Sequence, residues 1–194
     1  MDVLLKLMNT SSLIEFVAVI TALFYVLLAM QERPWCWFFA IVSSVCYIFV
    51  FMAAELFTEA MLQFFFIGIS IQGFFLWQGG QKQQAPSIHF GSRIRNIQGV
   101  LLCLVLTVSL GEFTRRYTGA SLAYPDAAIT IFSIYATFLA KDKRIENWLY
   151  WVIIDSGAVV LYGVKELYLT AVLFGLYVFL ALLGFYQWKK KLTI

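Results

Sequence analysis

The sequence predicts an all-α integral membrane protein with seven transmembrane helices, and three observations carry that prediction. Of 194 residues, 62% are hydrophobic and only 13% are charged, a balance too apolar for a water-soluble domain of this length. Apolar runs of bilayer length recur between charged or Gly-rich breaks. A helix crossing hydrocarbon needs about 20 such residues, because its backbone must satisfy its own hydrogen bonds there. Two stretches of the chain also align with each other without a gap, three apolar runs in each.

The runs place helices at about 12–31, 34–53, 58–78, 95–113, 122–140, 147–164 and 168–188. The first follows a single lysine, Lys6, lacks a small-x-small cleavage signature and is followed by more spans, so it is expected to be an anchor. Arg33-Pro34 separates it from the second, and Glu55 closes the second. The third ends at Gly79-Gly80, where a polar link leads to Arg93 and Arg95 before the fourth. Arg115-Arg116 ends the fourth, Lys141 to Glu146 divides the fifth from the sixth, and Lys165-Glu166 divides the sixth from the seventh. If all seven cross, Lys6, Arg115, Arg116 and Lys165 fall on one side. Arg33, Lys82, Arg93, Arg95, Lys141, Lys143, Arg144, Lys189, Lys190 and Lys191 fall on the other, a split of 4 against 10. Basic short loops stay in the cytoplasm, so the amino terminus is expected outside and the carboxyl terminus inside.

An offset of 111 aligns residues 15–77 with 126–188, with 12 of the 63 pairs identical. The matches include Arg33 with Arg144, Trp37 with Trp148, Glu55-Leu56 with Glu166-Leu167, Gly73-Phe74 with Gly184-Phe185, and Trp77 with Trp188. Three helices per copy would leave the second inverted. The intervening helix at about 95–113 restores the same orientation. The expected plan for 1–194 is one transmembrane domain of 3+1+3 helices with parallel repeats, SWEET-like, a transporter arrangement with substrate between the halves. A fold alone does not set a function.

Asp155 is the only carboxylate deep in a predicted span, eight residues into the sixth helix and so ~12 Å from its start. An acid there needs a cavity or a partner, which makes it a candidate for function; the alternative is a protonated acid bonded to a neighbouring helix. Trp148, Trp151, Asp155 and Tyr162 share one face at helical spacing, and their repeat equivalents are Trp37, Ala40, Ser44 and Phe51. Trp37, Trp77, Trp148 and Trp188 also suit a membrane-interface belt, whereas Trp151 lies one turn deeper and is the preferred stacking residue. Ser43, Ser44, Tyr47, Gln63, Ser70 and Gln72 offer neutral hydrogen-bonding groups for a ligand, or for bonds between helices. Gln63 and Gln72 lie half a circumference apart, so one of them is expected to be structural. Glu15 and Asp126 occupy equivalent positions and are expected at helix amino termini, where the dipole stabilises an acid. An aspartate below a tryptophan suits a flat cationic ligand.

Other chemistries lack their residues. His89 is the sole histidine, so no His-Glu-x-x-His zinc motif and no bis-histidine haem can form. No Gly-rich phosphate loop, no Schiff-base lysine in the last helix and no basic stripe for nucleic acid occurs, and no cofactor is expected. Cys36, Cys46 and Cys103 are odd in number, lie in apolar runs and are expected as packed thiols without a disulfide.

Glu146-Asn147-Trp148-Leu149-Tyr150-Trp151 with Asp155, then Lys165 to Ala171, then Gly184-Phe185-Tyr186-Gln187-Trp188, resembles the carboxyl-terminal half of the PnuC family of vitamin transporters. Trp35-Cys36-Trp37, Tyr47, Leu62-Gln63 and Gly73 to Trp77 are similar to that family's first repeat. The resemblance implies uptake of nicotinamide riboside across the bacterial inner membrane by facilitated diffusion, a cytoplasmic ribosylnicotinamide kinase trapping the product, and a homotrimer in the lipid bilayer. It implies no enzyme, and it adds Asn147 to the substrate-binding candidates. Family relatives that carry thiamine or riboflavin are the alternative, and a non-transporting scaffold or lipid-binding protein is the alternative of another class.

Overall fold

Helix lengths follow the apolar runs and then overrun them. In the computed structural model, which describes residues 2–53, 57–79, 86–118, 122–164 and 168–192, the helices are α1 (Asp2–Met30), α2 (Trp35–Ala53), α3 (Phe57–Gln78), α4 (Arg93–Thr118), α5 (Ala123–Lys141), α6 (Glu146–Val164) and α7 (Tyr168–Leu192). The side chains of 2–12, 57–59 and 169 are not described. All seven helices are long and apolar enough to cross a bilayer, and the described residues hold no strand beyond a single bridge between His89 and Arg144. The matched Glu55-Leu56 and Glu166-Leu167 pairs, with Lys82 and Lys165, lie outside the described residues.

Three helices exceed the expected spans: α1 begins at Asp2, α4 runs to Thr118 and α7 to Leu192. An apolar window measures the hydrocarbon crossing, whereas the hydrogen-bond ladder continues into the headgroup layer as long as no Gly or Pro stops it. One consequence corrects an expectation. Glu15 lies more than three turns inside α1, so no helix-terminal dipole supports it, while Asp126 does sit in the first turn of α5.

Two compact units divide the chain, Met1–Pro86 and Ser87–Ile194. In the first, α2 packs against α1 and against α3; in the second, α6 packs against α5 and against α7, and α4 lies along α5. The fourth helix is fastened within the second unit near both of its ends. Near its end, the Tyr124 hydroxyl donates to Glu112 at 2.5 Å, and the same carboxylate accepts from Arg115 at 2.9 Å and Arg116 at 2.5 Å. In its second turn Gly99 lies flush on the Tyr135 ring, leaving no room for a Cβ.

The equivalent corners α1–α2 and α5–α6 close with the same pair of backbone bonds. Glu32 and Lys143 both turn left-handed, with φ of 59° and 53°. Arg33 N–H then reaches back to Leu28 O at 3.0 Å, and Arg144 N–H to Leu139 O at 2.9 Å. Glu32 N–H bonds Ala29 O at 3.0 Å, and Lys143 N–H bonds Ala140 O at 2.9 Å. This is the Schellman closure, which satisfies the last carbonyls of the first helix in each set. The next helix starts alike in both, with Cys36 and Asn147 N–H on the Arg33 and Arg144 carbonyls at 2.9 and 3.1 Å. Deeper in the units, Trp37 meets Trp77 edge to face at 5.4 Å and 84°, and Trp148 meets Trp188 at 5.4 Å and 90°. In each pair one indole lies on a glycine: a Cβ would stand 2.5 Å from Trp37 at Gly73, and 2.6 Å from Trp148 at Gly184. The aligned pairs Trp37 and Trp148, Trp77 and Trp188, and Gly73 and Gly184 therefore have matching surroundings.

Candidate functional site

The α5–α6 corner determines where α6 starts and so which of its side chains face inward. Asn147, the second residue of α6, is 1% exposed, and its side-chain amide donates to Arg144 O at 2.6 Å, a bond that closes the corner. Trp148 follows, 4% exposed, its ring held between Gly184 and Trp188 and its Nε1–H left without a hydrogen-bond partner among the described residues. Trp37, at the equivalent place in the first unit, has the same unpartnered Nε1–H. Packing rather than an interfacial hydrogen bond fixes both rings. An orphaned buried indole N–H forgoes the partner that Trp normally finds.

One turn further Trp151 is half-buried, and one turn beyond it stands Asp155, the tenth of the nineteen residues of α6 and therefore at its middle. Asp155 is 4% exposed and is the only buried acid among the described residues. No hydrogen bond or ion pair reaches its carboxylate from any described residue. Burying an unpaired carboxylate is strongly unfavourable, and a cationic ligand is one way to offset it. Below it on the same face Tyr162 stacks on Phe174 at 5.2 Å and 14°. Among the described residues no cluster of His, Cys, Asp or Glu could hold a metal, and the three cysteines are free thiols.

The first unit holds the remaining candidates. Ser43 and Ser44 are each 6% exposed, but they differ in engagement: the Ser43 hydroxyl donates to Ala18 O of α1 at 2.9 Å and so joins the two helices. Tyr47, one turn along α2, is half-buried and stacks on Phe51 at 5.4 Å and 16°. On α3, Gln63 shares a helical stripe with the buried Ala60, Ser70 and Trp77, whereas Gln72 shares one with the exposed Met61, Phe64 and Phe75. The two glutamines therefore face opposite sides of α3, and Gln63 is the inward one. Sequence spacing had no means of singling out a further group, Arg144, Glu146, Asn96 and Gly91, whose side chains and backbone meet at the start of α6.

Aromatic rings and one buried acid thus share a face of α6, the acid at its midpoint. The family model described as nicotinamide mononucleotide transporter matches residues 12–190. The chain belongs to that family. The nicotinamide riboside transporter PnuC of Escherichia coli (strain K12) is 26% identical over 203 residues, covering 91% of this chain and 85% of its own length. The PnuC of Shigella flexneri matches to the same extent. Among solved structures, a crystal structure of the vitamin B3 transporter PnuC superposes with a TM-score of 0.73 at 20% identity, covering 97% of this chain and 85% of that one. The seven-helix fold is thus the transporter family's fold, and the chain is a multi-pass membrane transporter of that family.

Proposed function

We propose that the protein carries nicotinamide riboside across the bacterial inner membrane by facilitated diffusion, and that phosphorylation by a cytoplasmic ribosylnicotinamide kinase traps the product. The observation that supports this reading most is Asp155, buried and unpaired one helical turn from Trp151. The glycosylated pyridinium ring of the riboside is flat and permanently cationic, so a carboxylate offsets its charge. The face of the indole adds a cation–π attraction of about 0.5–2 kcal/mol. Asn147, Trp148, Ser44, Tyr47 and Gln63 are the proposed hydrogen-bonding and packing groups for the ribose hydroxyls and the carboxamide. The mononucleotide would bring a phosphate, whose negative charge Asp155 repels, so the site favours the riboside named for the two relatives. With Asp155 the only buried acid among the described residues, a proton relay has no second carboxylate there, which favours uncoupled transport. The working form is a homotrimer with its amino terminus outside and its carboxyl terminus in the cytoplasm, an orientation that rests on the distribution of Lys and Arg.

Calorimetric titration of the purified protein with nicotinamide riboside, nicotinamide mononucleotide, thiamine and riboflavin tests the substrate. Selective binding of the riboside is expected. Selection of thiamine, also cationic, would replace the substrate and keep the site; binding of none would contradict both.

A further inference from the structure

Residues 87–92, just before α4, lie along the α5–α6 corner and are bonded to it. His89 N–H donates to Lys143 O at 3.3 Å, and Ile145 N–H donates to His89 O at 3.1 Å. Two residues on, Gly91 N–H donates to Glu146 Oε1 at 2.7 Å, and the Asn96 side-chain amide of α4 donates to the same oxygen at 3.0 Å. The Asn96 carbonyl in turn accepts from Arg144 Nη2, and from the Tyr135 hydroxyl of α5 at 3.4 Å. Gly91 lies against the Arg144 guanidinium, and a Cβ there would overlap it. This segment, α4 and α5 thus converge on the two polar residues that flank Ile145, immediately before Asn147 and Trp148.

Among the described residues, the first unit has the same corner without this clamp. Arg33 matches Arg144, but Trp35 and Cys36 stand where the second unit has Glu146 and Asn147. Since the bare corner closes with the same backbone bonds, folding the turn does not require the clamp. Two of its atoms, Arg144 Nε and Glu146 Oε2, are buried without partners, which is not how a network serving stability alone is completed.

We propose that Glu146, Asn96 and Gly91 act as positioning residues for the substrate site: they hold the first turn of α6 so that the face carrying Trp151 and Asp155 is presented in one orientation. None of the three touches substrate in this scheme, and the proposal rests on the substrate reading given above. The clamp acts on affinity because α6 is a rigid rod. A small rotation at its start carries Trp151 and Asp155 together out of register with a bound ring, and misplacement of about 1 Å can cost two orders of magnitude in a positioned reaction or contact.

The test uses Glu146→Ala, Glu146→Gln and Gly91→Ala in the full-length protein, reading riboside dissociation constants and hydrogen–deuterium exchange of amides 145–150. Glu146→Ala is expected to weaken binding by about tenfold and to speed exchange. Glu146→Gln keeps an acceptor for Gly91 and Asn96 and should restore most of both. Gly91→Ala should match Glu146→Ala, and the double variant should be no worse than either single one, as for two changes that open one device. Wild-type affinity and wild-type exchange in Glu146→Ala, or additive losses in the double variant, would overturn the proposal. If the wild-type protein binds no riboside, the substrate reading fails by itself. Exchange then decides the clamp: acceleration in Glu146→Ala that Glu146→Gln reverses supports it, and no change refutes it.

Discussion

Asp155 and Trp151 stand one turn apart on α6, and the contributions to binding proposed for them can be separated. Asp155→Asn keeps the shape and removes the charge, so the riboside dissociation constant should rise about tenfold or more, the equivalent of ~1.4 kcal/mol. Because the wild-type carboxylate is buried and unpaired, the same change should leave the thermal midpoint unchanged or raise it. A fall in stability with unchanged affinity would assign Asp155 to the fold. Trp151→Ala should weaken binding by roughly two- to thirty-fold, the range of a cation–π contact, and Trp151→Phe should recover part of the loss. Equal affinities across the three proteins, measured by calorimetry, would remove Trp151 from the site. The place of Asp155 deep in α6 and one turn from Trp151 was legible in the sequence, because an acid far from any predicted helix end is rare and four-residue spacing places it under an indole. The engagement of Ser43 by α1 was not, since a serine bonded across helices and a serine facing a ligand have the same sequence signature.

Among the elements, the two sets α1–α3 and α5–α7 share their corners and their glycine-seated tryptophans, yet among the described residues only the second carries the buried acid and the polar clamp. Gly73→Ala and Gly184→Ala should therefore destabilise the protein alike, by about 1–3 kcal/mol each as overpacking displaces an indole. Only Gly184→Ala displaces Trp148, so it should weaken riboside binding by the larger factor. Thermal unfolding alongside titration checks this, and equal losses of affinity in the two variants would contradict the assignment of the site to α6. The Trp and Gly matches were visible as identical pairs at one offset. The left-handed corners were not, because Glu32 and Lys143 stand where glycine would have signalled the turn. The clamp was also hidden: Gly91 and Asn96 are 55 and 50 residues from Glu146, and a polar link looks like any solvated loop until packing brings it to a helix start.

For the whole molecule, length and hydropathy were enough to count the seven helices, since hydrocarbon thickness sets a minimum apolar run that each segment meets. Their full lengths were not readable in this way, because α1, α4 and α7 continue beyond the apolar window. Membership of a transporter family accounts for the seven-helix fold, and the proposed role of Asp155 is to favour a flat cation without a phosphate. The most direct test of that claim is uptake into proteoliposomes of nicotinamide riboside and nicotinamide mononucleotide, measured side by side with the wild-type protein and Asp155→Asn. Saturable entry of the riboside that exceeds entry of the mononucleotide and falls in Asp155→Asn is the predicted result. Preferred entry of the mononucleotide, or riboside entry indifferent to Asp155, would contradict it.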